Sequence, residues 1–177
     1  KWKPPEFNTI DFLITTKKDV NGSEDFIGNI FQEGTNTSAY EQLSQYKTLI
    51  MRVGFDEKKH GYTNPCGDVI NDKLPSFENN QFGDRREDSY KPMPFYPTNP
   101  SDPDANICNI MLQSDESGNK QLMTEENEVF GDGVIVEFRY DFTRENKWRW
   151  VPLRVRYDKT EEYKKGFPQY GNAYHVA

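Results

Sequence analysis

The sequence predicts an all-β domain built as a small closed antiparallel barrel with long loops. Three observations point there. Five segments dense in β-branched and aromatic residues are separated by turn signals. No strand–helix–strand alternation of the kind that builds a parallel sheet is present. Aromatic residues make up 14% of a 177-residue chain that is only 34% hydrophobic, so the core must be small and aromatic-rich, whereas a disordered chain would be poor in aromatics. A chain of this length suits one domain.

Taken in order, KWKPPEF (residues 1–7) reads as an extended connector, because Pro4 and Pro5 lack donors and push the residues before them away from helix. TIDFLITTKK holds the first strand, from Thr9 to Thr16, and VNGSED is a turn. Ser38 to Tyr46 suits a short helix, and KTLIMRVGF is the second strand. From Asp56 to Asp104 the chain turns irregular, with Pro65, Pro75, Pro92, Pro94, Pro97, Pro100 and Pro103 among Asn, Asp and Gly residues. So long an aperiodic stretch reads as an insertion, with a hairpin or short helix near Asp68 to Phe77. Strands return at NICNIMLQ, GVIVEFRYDF and WRWVPLRVRY, with turns at DESGNK and TREN. DKTEEYKKG closes as a brief amphipathic helix stopped by Gly166 and Pro168. Five strands, long loops and few helices fit a five-stranded Greek-key barrel, the OB-fold, over residues 8–165, with an insertion at about 56–104. Residues 166–177 read as a linker toward a further domain.

The net charge is −7, so the surface as a whole lacks the basic excess of a nucleic-acid binder. Any phosphate contact must be local. The last third offers Arg139, Arg144, Lys147, Arg149, Arg154, Arg156 and Lys159; the same run would also serve as a charged, solvated strand edge. Cys66 and Cys108 stand 42 positions apart, and neither His60 nor His175 makes metal-ligand spacing with them. Buried free thiols are the simpler reading than zinc or a disulfide. DPDAN begins like a calcium loop at Asp102, Asp104 and Asn106, but Ile107 stands where Gly is required and Gln113 where Glu is expected. No apolar run reaches the roughly 18 residues of a membrane span.

Two stretches carry chemistry. In an extended connector residues i and i+2 share a side, so Lys1 and Lys3 can converge on one phosphate. In RVRYDK strand alternation puts Arg154, Arg156 and Asp158 on one face, with Lys159 at the strand's end. Guanidiniums grip phosphate oxygens in pairs, and a lysine supplies a point charge that can follow a departing pyrophosphate. Asp158 could orient a cation or its water. Alone, the first stretch matches a solvated tail and the second a charged strand face; together and in this order they favour function.

KWKPPEFNTIDF resembles the fifth conserved nucleotidyltransferase motif of eukaryotic and viral mRNA guanylyltransferases, and WVPLRVRYDKT resembles their sixth. Lys1 and Lys3 match the motif lysines, Thr9, Ile10, Asp11 and Phe12 match the start of the family's OB domain, and Arg154, Arg156, Asp158 and Lys159 match its RxRxDK core. The resemblance spans essentially the whole chain, with the long spacing between motifs found in capping enzymes of large DNA viruses. It implies that residues 1–7 end a nucleotidyltransferase domain and hinge it to an OB lid. It implies that Lys1, Lys3, Arg154, Asp158 and Lys159 act in catalysis, and that Arg156, Lys1 and Lys3 bind substrate. The substrates implied are GTP and a 5′-diphosphate RNA end, with Mg2+ or Mn2+ serving the whole enzyme, in a virion or a viral factory of the host cytoplasm. A guanine-N7 methyltransferase is the downstream neighbour that the resemblance offers. The family's nucleophilic lysine sits in a KxDG motif that this chain lacks, so the segment alone is expected to be inactive. QEGTN, at Glu33 and Gly34, stands on the wrong side of KWKP to be the family's Glu-Gly motif and reads as a loop. An ATP-dependent ligase, whose OB domain ends in a similar RxDK, and a stand-alone single-strand-binding OB module are the alternatives.

Overall fold

The computed structural model describes residues 8–31, 43–56 and 90–177. Through them run β1 (Thr9–Thr16), β2 (Ile27–Phe31), β3 (Leu43–Phe55), β4 (Lys91–Pro94), β5 (Ile107–Met111), β6 (Gln113–Ser114), β7 (Lys120–Met123), β8 (Val129–Phe130), β9 (Val134–Tyr140), β10 (Trp150–Val155) and the helix α1 (Tyr157–Lys164). All five expected strands are present, as β1, β3, β5, β9 and β10. They pair antiparallel in the order β10–β9–β1–β3–β5. The fourth of the five therefore lies beside the first, which is a Greek key, and the fold is an all-β, OB-like barrel. Its two edges approach one another: the Asn109 N–H donates to the Lys147 carbonyl at 2.6 Å, and Trp150 Nε1 donates to the Ala105 carbonyl at 2.8 Å.

β1 and β2 form one path against β3. Thr16 pairs with Leu49, the Lys17 N–H donates to Thr48, and Ile27 pairs with Lys47. Residues 18–25, the expected VNGSED turn, are looped out of that path and closed by a Lys18–Asp25 bridge. Inward-facing Phe12 and Ile14 of β1 meet Leu49, Met51 and Val53 of β3, Val136 and Phe138 of β9, and Trp150. Phe12 is the hub, with Phe95 at 5.4 Å and Trp150 edge-on at 4.9 Å between ring centroids. Burial of such rings, with the extra favourable edge geometry, accounts for how a chain with so few aliphatics holds a core. Cys108 is a buried free thiol, pushed up to about 12 by that burial; Cys66 and His60 lie outside the described residues.

Several expectations change. The helix expected over Ser38–Tyr46 is not formed where the structure describes it: Leu43 to Tyr46 belong to β3 and pair with β2. Tyr46 stands opposite Gly28, whose missing side chain makes room for the tyrosine ring. Ladder bonds and this cross-strand fit outweigh local helix propensity. Within the expected 56–104 insertion, β4 pairs with β3 and Phe95 enters the core, while Asp68–Phe77 and Glu33–Gly34 lie outside the described residues. The final helix forms, but it is polar rather than amphipathic, with Thr160 as its buried residue. Gly166, at φ 84°, ends it: its N–H reaches the Tyr163 carbonyl and that of Phe167 reaches Glu162, the paired bonds of a Schellman cap. Residues 166–177, expected as a linker, return along the barrel. Phe12 bridges to Gly171 and Gly54 to Ala173.

Candidate functional site

The outer face of β1 carries an uncommon pairing: Asp11 stands directly opposite Glu137 of β9. Two carboxylates in register repel, and the geometry around them answers that repulsion with three cations. Arg154 Nε donates to Glu137 Oε2 at 2.6 Å. Arg156 Nη1 and Lys159 Nζ both donate to Asp11 Oδ2, each at 2.7 Å. The Thr9 hydroxyl adds a 2.6 Å bond to Glu137 Oε1. Burial alone would push the Glu137 carboxyl up, but Thr9 and Arg154 outweigh it and hold the group below its ordinary value.

How the chain places these groups depends on one irregularity. β10 bulges between Pro152 and Arg154, which re-phases the strand so that Val155 turns into the core while Arg154 and Arg156 face outward. Pro152 is tolerated because β10 is an edge strand at a bulge. The strand then stops at Val155, and Arg156 stands at the N-cap position of α1. Asp158 and Lys159 therefore lie on the first helical turn, not on the strand, and the expected alternation of Arg154, Arg156 and Asp158 along one strand face fails at its last member. The helix nevertheless brings Lys159 back over β1. It is docked there by the Ile135 N–H, which donates to Thr160 Oγ1 at 2.9 Å.

Asp158 is exposed and meets Arg156 at 3.3 Å, a contact that holds its carboxyl below the ordinary value. Arg154, Arg156, Asp158 and Lys159 are thus brought together. Lys1 and Lys3 lie outside the described residues. The remaining basic residues of the last third do not join this group. Arg144 pairs with Asp141 at 3.4 Å, Arg139 with Glu125 at 3.5 Å, and Lys147 with Asp104 at 3.8 Å, while Arg149 donates to the Tyr140 hydroxyl. The residues without an expected role are the anchors, Asp11 and Glu137. An aspartate inside the apolar run TIDFLI is the signal that could have found the first, since unpaired carboxylates are seldom buried.

Chemically, Arg156 and Lys159 are aimed at one oxygen of a buried carboxylate. An ammonium has three donors and a guanidinium five, so both retain donors for an incoming phosphate, and the weak Asp158 contact is the one such an anion would displace. Among the described residues no three His, Cys, Asp or Glu side chains converge on a cation site, and no helix is long and apolar enough to cross a membrane.

A second charged cluster lies at the other end of β1. Lys18 Nζ bridges Asp25 at 2.6 Å and Asp132 at 2.7 Å, Lys47 holds Asp25 at 2.7 Å, and Thr16 donates its N–H to Asp132. Burial alone would raise the Asp25 carboxyl; Lys18, Lys47 and Thr16 outweigh it and hold it well below the carboxylate range. Asp132 moves the same way for similar reasons. A carboxyl whose folded pKa lies below its unfolded value of about 3.9 contributes stability that is complete above that value and is lost as pH falls through the folded one. Asp25→Asn should therefore be less stable than the parent in urea at pH 7, with the difference closing as the pH is taken below about 4. A gap of constant size across that range would show that Asp25 is not held by its lysines.

The chain is 28% identical to a probable mRNA-capping enzyme of Acanthamoeba polyphaga mimivirus over 181 residues, an alignment that takes in 100% of this chain. The chain spans only 12% of that protein's length. No protein-family profile and no solved structure matches it. What the chain resembles, over its whole length, is a segment of a viral capping enzyme.

Proposed function

We propose that this chain is the OB-like lid of an mRNA-capping guanylyltransferase. The observation that carries the reading is the convergence of Arg156 Nη1 and Lys159 Nζ on one carboxylate oxygen, each at 2.7 Å, at positions that match the RxRxDK core. The likeness to a capping enzyme over the full chain supports the same reading.

In this account GTP binds to a nucleotidyltransferase domain hinged near Lys1 and Lys3, and the lid closes over it. A lysine of that domain attacks the α-phosphorus, the N–P bond forms, and the bond to the β-phosphate oxygen breaks with pyrophosphate as leaving group. Arg154, Arg156 and Lys159 meet the β- and γ-phosphates, stabilise the charge that gathers on the leaving group and align it opposite the attacking amine. Closure also excludes water, and reopening releases pyrophosphate and exposes the lysyl-GMP to a 5′-diphosphate RNA end. Mg2+ or Mn2+ would neutralise phosphate charge when bound; the described residues offer it no cage, and no step here is assigned to it.

The test is covalent label transfer from α-labelled GTP, with ATP in parallel, using this chain expressed together with its native upstream sequence. Lys159→Ala should lower labelling about 100-fold, the scale for removing one positioned donor from a developing anion. Undiminished labelling in the variant would sink the lid reading, and labelling by ATP instead of GTP would move the chain to the ligases.

A further inference from the structure

Trp150 and Val155 both enter the core, although at this odd separation they would face opposite sides of a regular strand. The extra residue of the β10 bulge, Leu153, supplies the missing half-period. Arg154 shares the parity of Trp150, so a bulge displaced toward α1 would turn its guanidinium inward, because each residue that a bulge passes changes face. Where Arg154 points therefore depends on what holds the bulge at Leu153.

The β7–β8 turn, Thr124 to Glu128, meets that stretch on the edge of β10 away from β9. Successive carbonyls of a regular strand point to opposite edges, whereas at a bulge two neighbours can share one. Those of Pro152 and Leu153 do so: the Glu125 N–H donates to the first at 2.9 Å and the Glu126 N–H to the second at 3.3 Å. The Val155 N–H then donates to Glu128 Oε2 at 2.6 Å. A carboxylate acceptor makes such a bond roughly twice as strong as a neutral one. The turn is itself pinned at both ends. Thr124 is buried, its N–H donates to the Glu128 carbonyl at 3.0 Å, and its hydroxyl accepts from the Glu128 N–H at 3.2 Å. Asn127 closes the turn at φ 61°, a left-handed conformation that asparagine tolerates.

We propose that Glu128 is a positioning residue for the departure of pyrophosphate: by holding the Val155 N–H it fixes the β10 bulge in the one register that turns Arg154 and Arg156 outward together. That the arginines then meet a leaving pyrophosphate rests on the guanylyl-transfer reading. Glu128 itself touches neither substrate nor the reacting atoms; it acts through the backbone of β10, and the Glu125 and Glu126 N–H groups complete the clamp.

The test is single-turnover label transfer from α-labelled GTP by this chain joined to its native upstream sequence, with rates taken per active site. Glu128→Ala should lower the rate at saturating GTP about 100-fold, the scale for a displacement of about 1 Å at the reacting groups, with a smaller change in the GTP concentration that gives half the rate. Glu128→Gln, which keeps an acceptor for the Val155 N–H, should recover most of the loss. Glu116→Gln, an exposed carboxylate on the β6–β7 turn, should change neither quantity. NMR of the same proteins reads the geometry apart from catalysis. The Val155 amide should exchange with solvent about tenfold faster in Glu128→Ala, as loss of one hydrogen bond to a charged group implies, and stay slow in Glu128→Gln. The Arg154 Nε–H signal, set by its 2.6 Å bond to Glu137, should move in the first variant and not in the second. A loss confined to the fraction of active protein, equal losses in the two Glu128 variants, or an unmoved Arg154 signal in Glu128→Ala would overturn the proposal. If the parent takes no label from GTP, the capping reading fails, and the Val155 and Arg154 signals still decide whether Glu128 sets the arginines.

Discussion

Asp11→Ala is expected to lower the midpoint of thermal unfolding by about 6–12 °C. Asp11 is buried and accepts from both Arg156 and Lys159, whose side chains are themselves only about a quarter exposed at 25% and 24%. Removing one member of a buried ionic group leaves its partners charged without the carboxylate they share, at a cost of about 3 kcal/mol. In a domain of this size each kcal/mol is worth roughly 2–4 °C. Asp11→Asn, which keeps the shape and one acceptor, should fall between variant and parent. A double-mutant cycle with Arg156→Met apportions the effect: if Asp11→Ala costs as much in that background as in the parent, the Asp11–Arg156 pair contributes none of the stabilisation.

Gly171→Ala should be destabilising by about 2–4 kcal/mol. The residue sits at φ 84°, where a side chain costs about 1–2 kcal/mol, and a Cβ there would overlap the Asp11 carbonyl, adding a clash with backbone that has no rotamer to relieve it. Gly118→Ala separates the two contributions, because Gly118 has a similar φ of 82° with nothing within 4 Å of the added atom; it should show the conformational cost alone. Urea unfolding measures the sizes. Amide exchange shows the place, since the Gly54 and Tyr174 N–H groups bond across the tail junction to Asn172 and Gly54 and should lose protection first. Equal costs at the two glycines would mean that the tail does not seat against β1.

The five principal strands were legible because each is long enough for alternation and β-branched density to register, and the VNGSED, DESGNK and TREN turns were legible from their chemistry. Tyr46 was misread because a single-residue fit against Gly28, eighteen positions away, has no local signature. β6 and β8, at two residues each, are too short to show any period. At the site, Arg154, Arg156, Asp158 and Lys159, the four residues of the RxRxDK stretch, stand near one another, but alternation misplaced Asp158, because the bulge at Leu153 and the helix start after Arg156 are set by packing. Asp11 was legible only as part of the match to the start of the OB domain, and its partnership with residues 145 and 148 positions away belongs to the fold.

The same sequence separations govern how the protein can be made. β1 is made well before its partner β9 and before the cations that neutralise Asp11. At about 5–20 residues per second, the roughly 145 residues between Asp11 and Arg156 take about 7–30 s to synthesise. Until residues 134–140 follow, Phe12 and Ile14 have no β9 to cover them, and Asp11 lacks both Arg156 and Lys159 for the whole of that interval. The looped pairing of β1 and β2 on β3 is the nearest structure available to shelter that strand before β9, β10 and α1 follow.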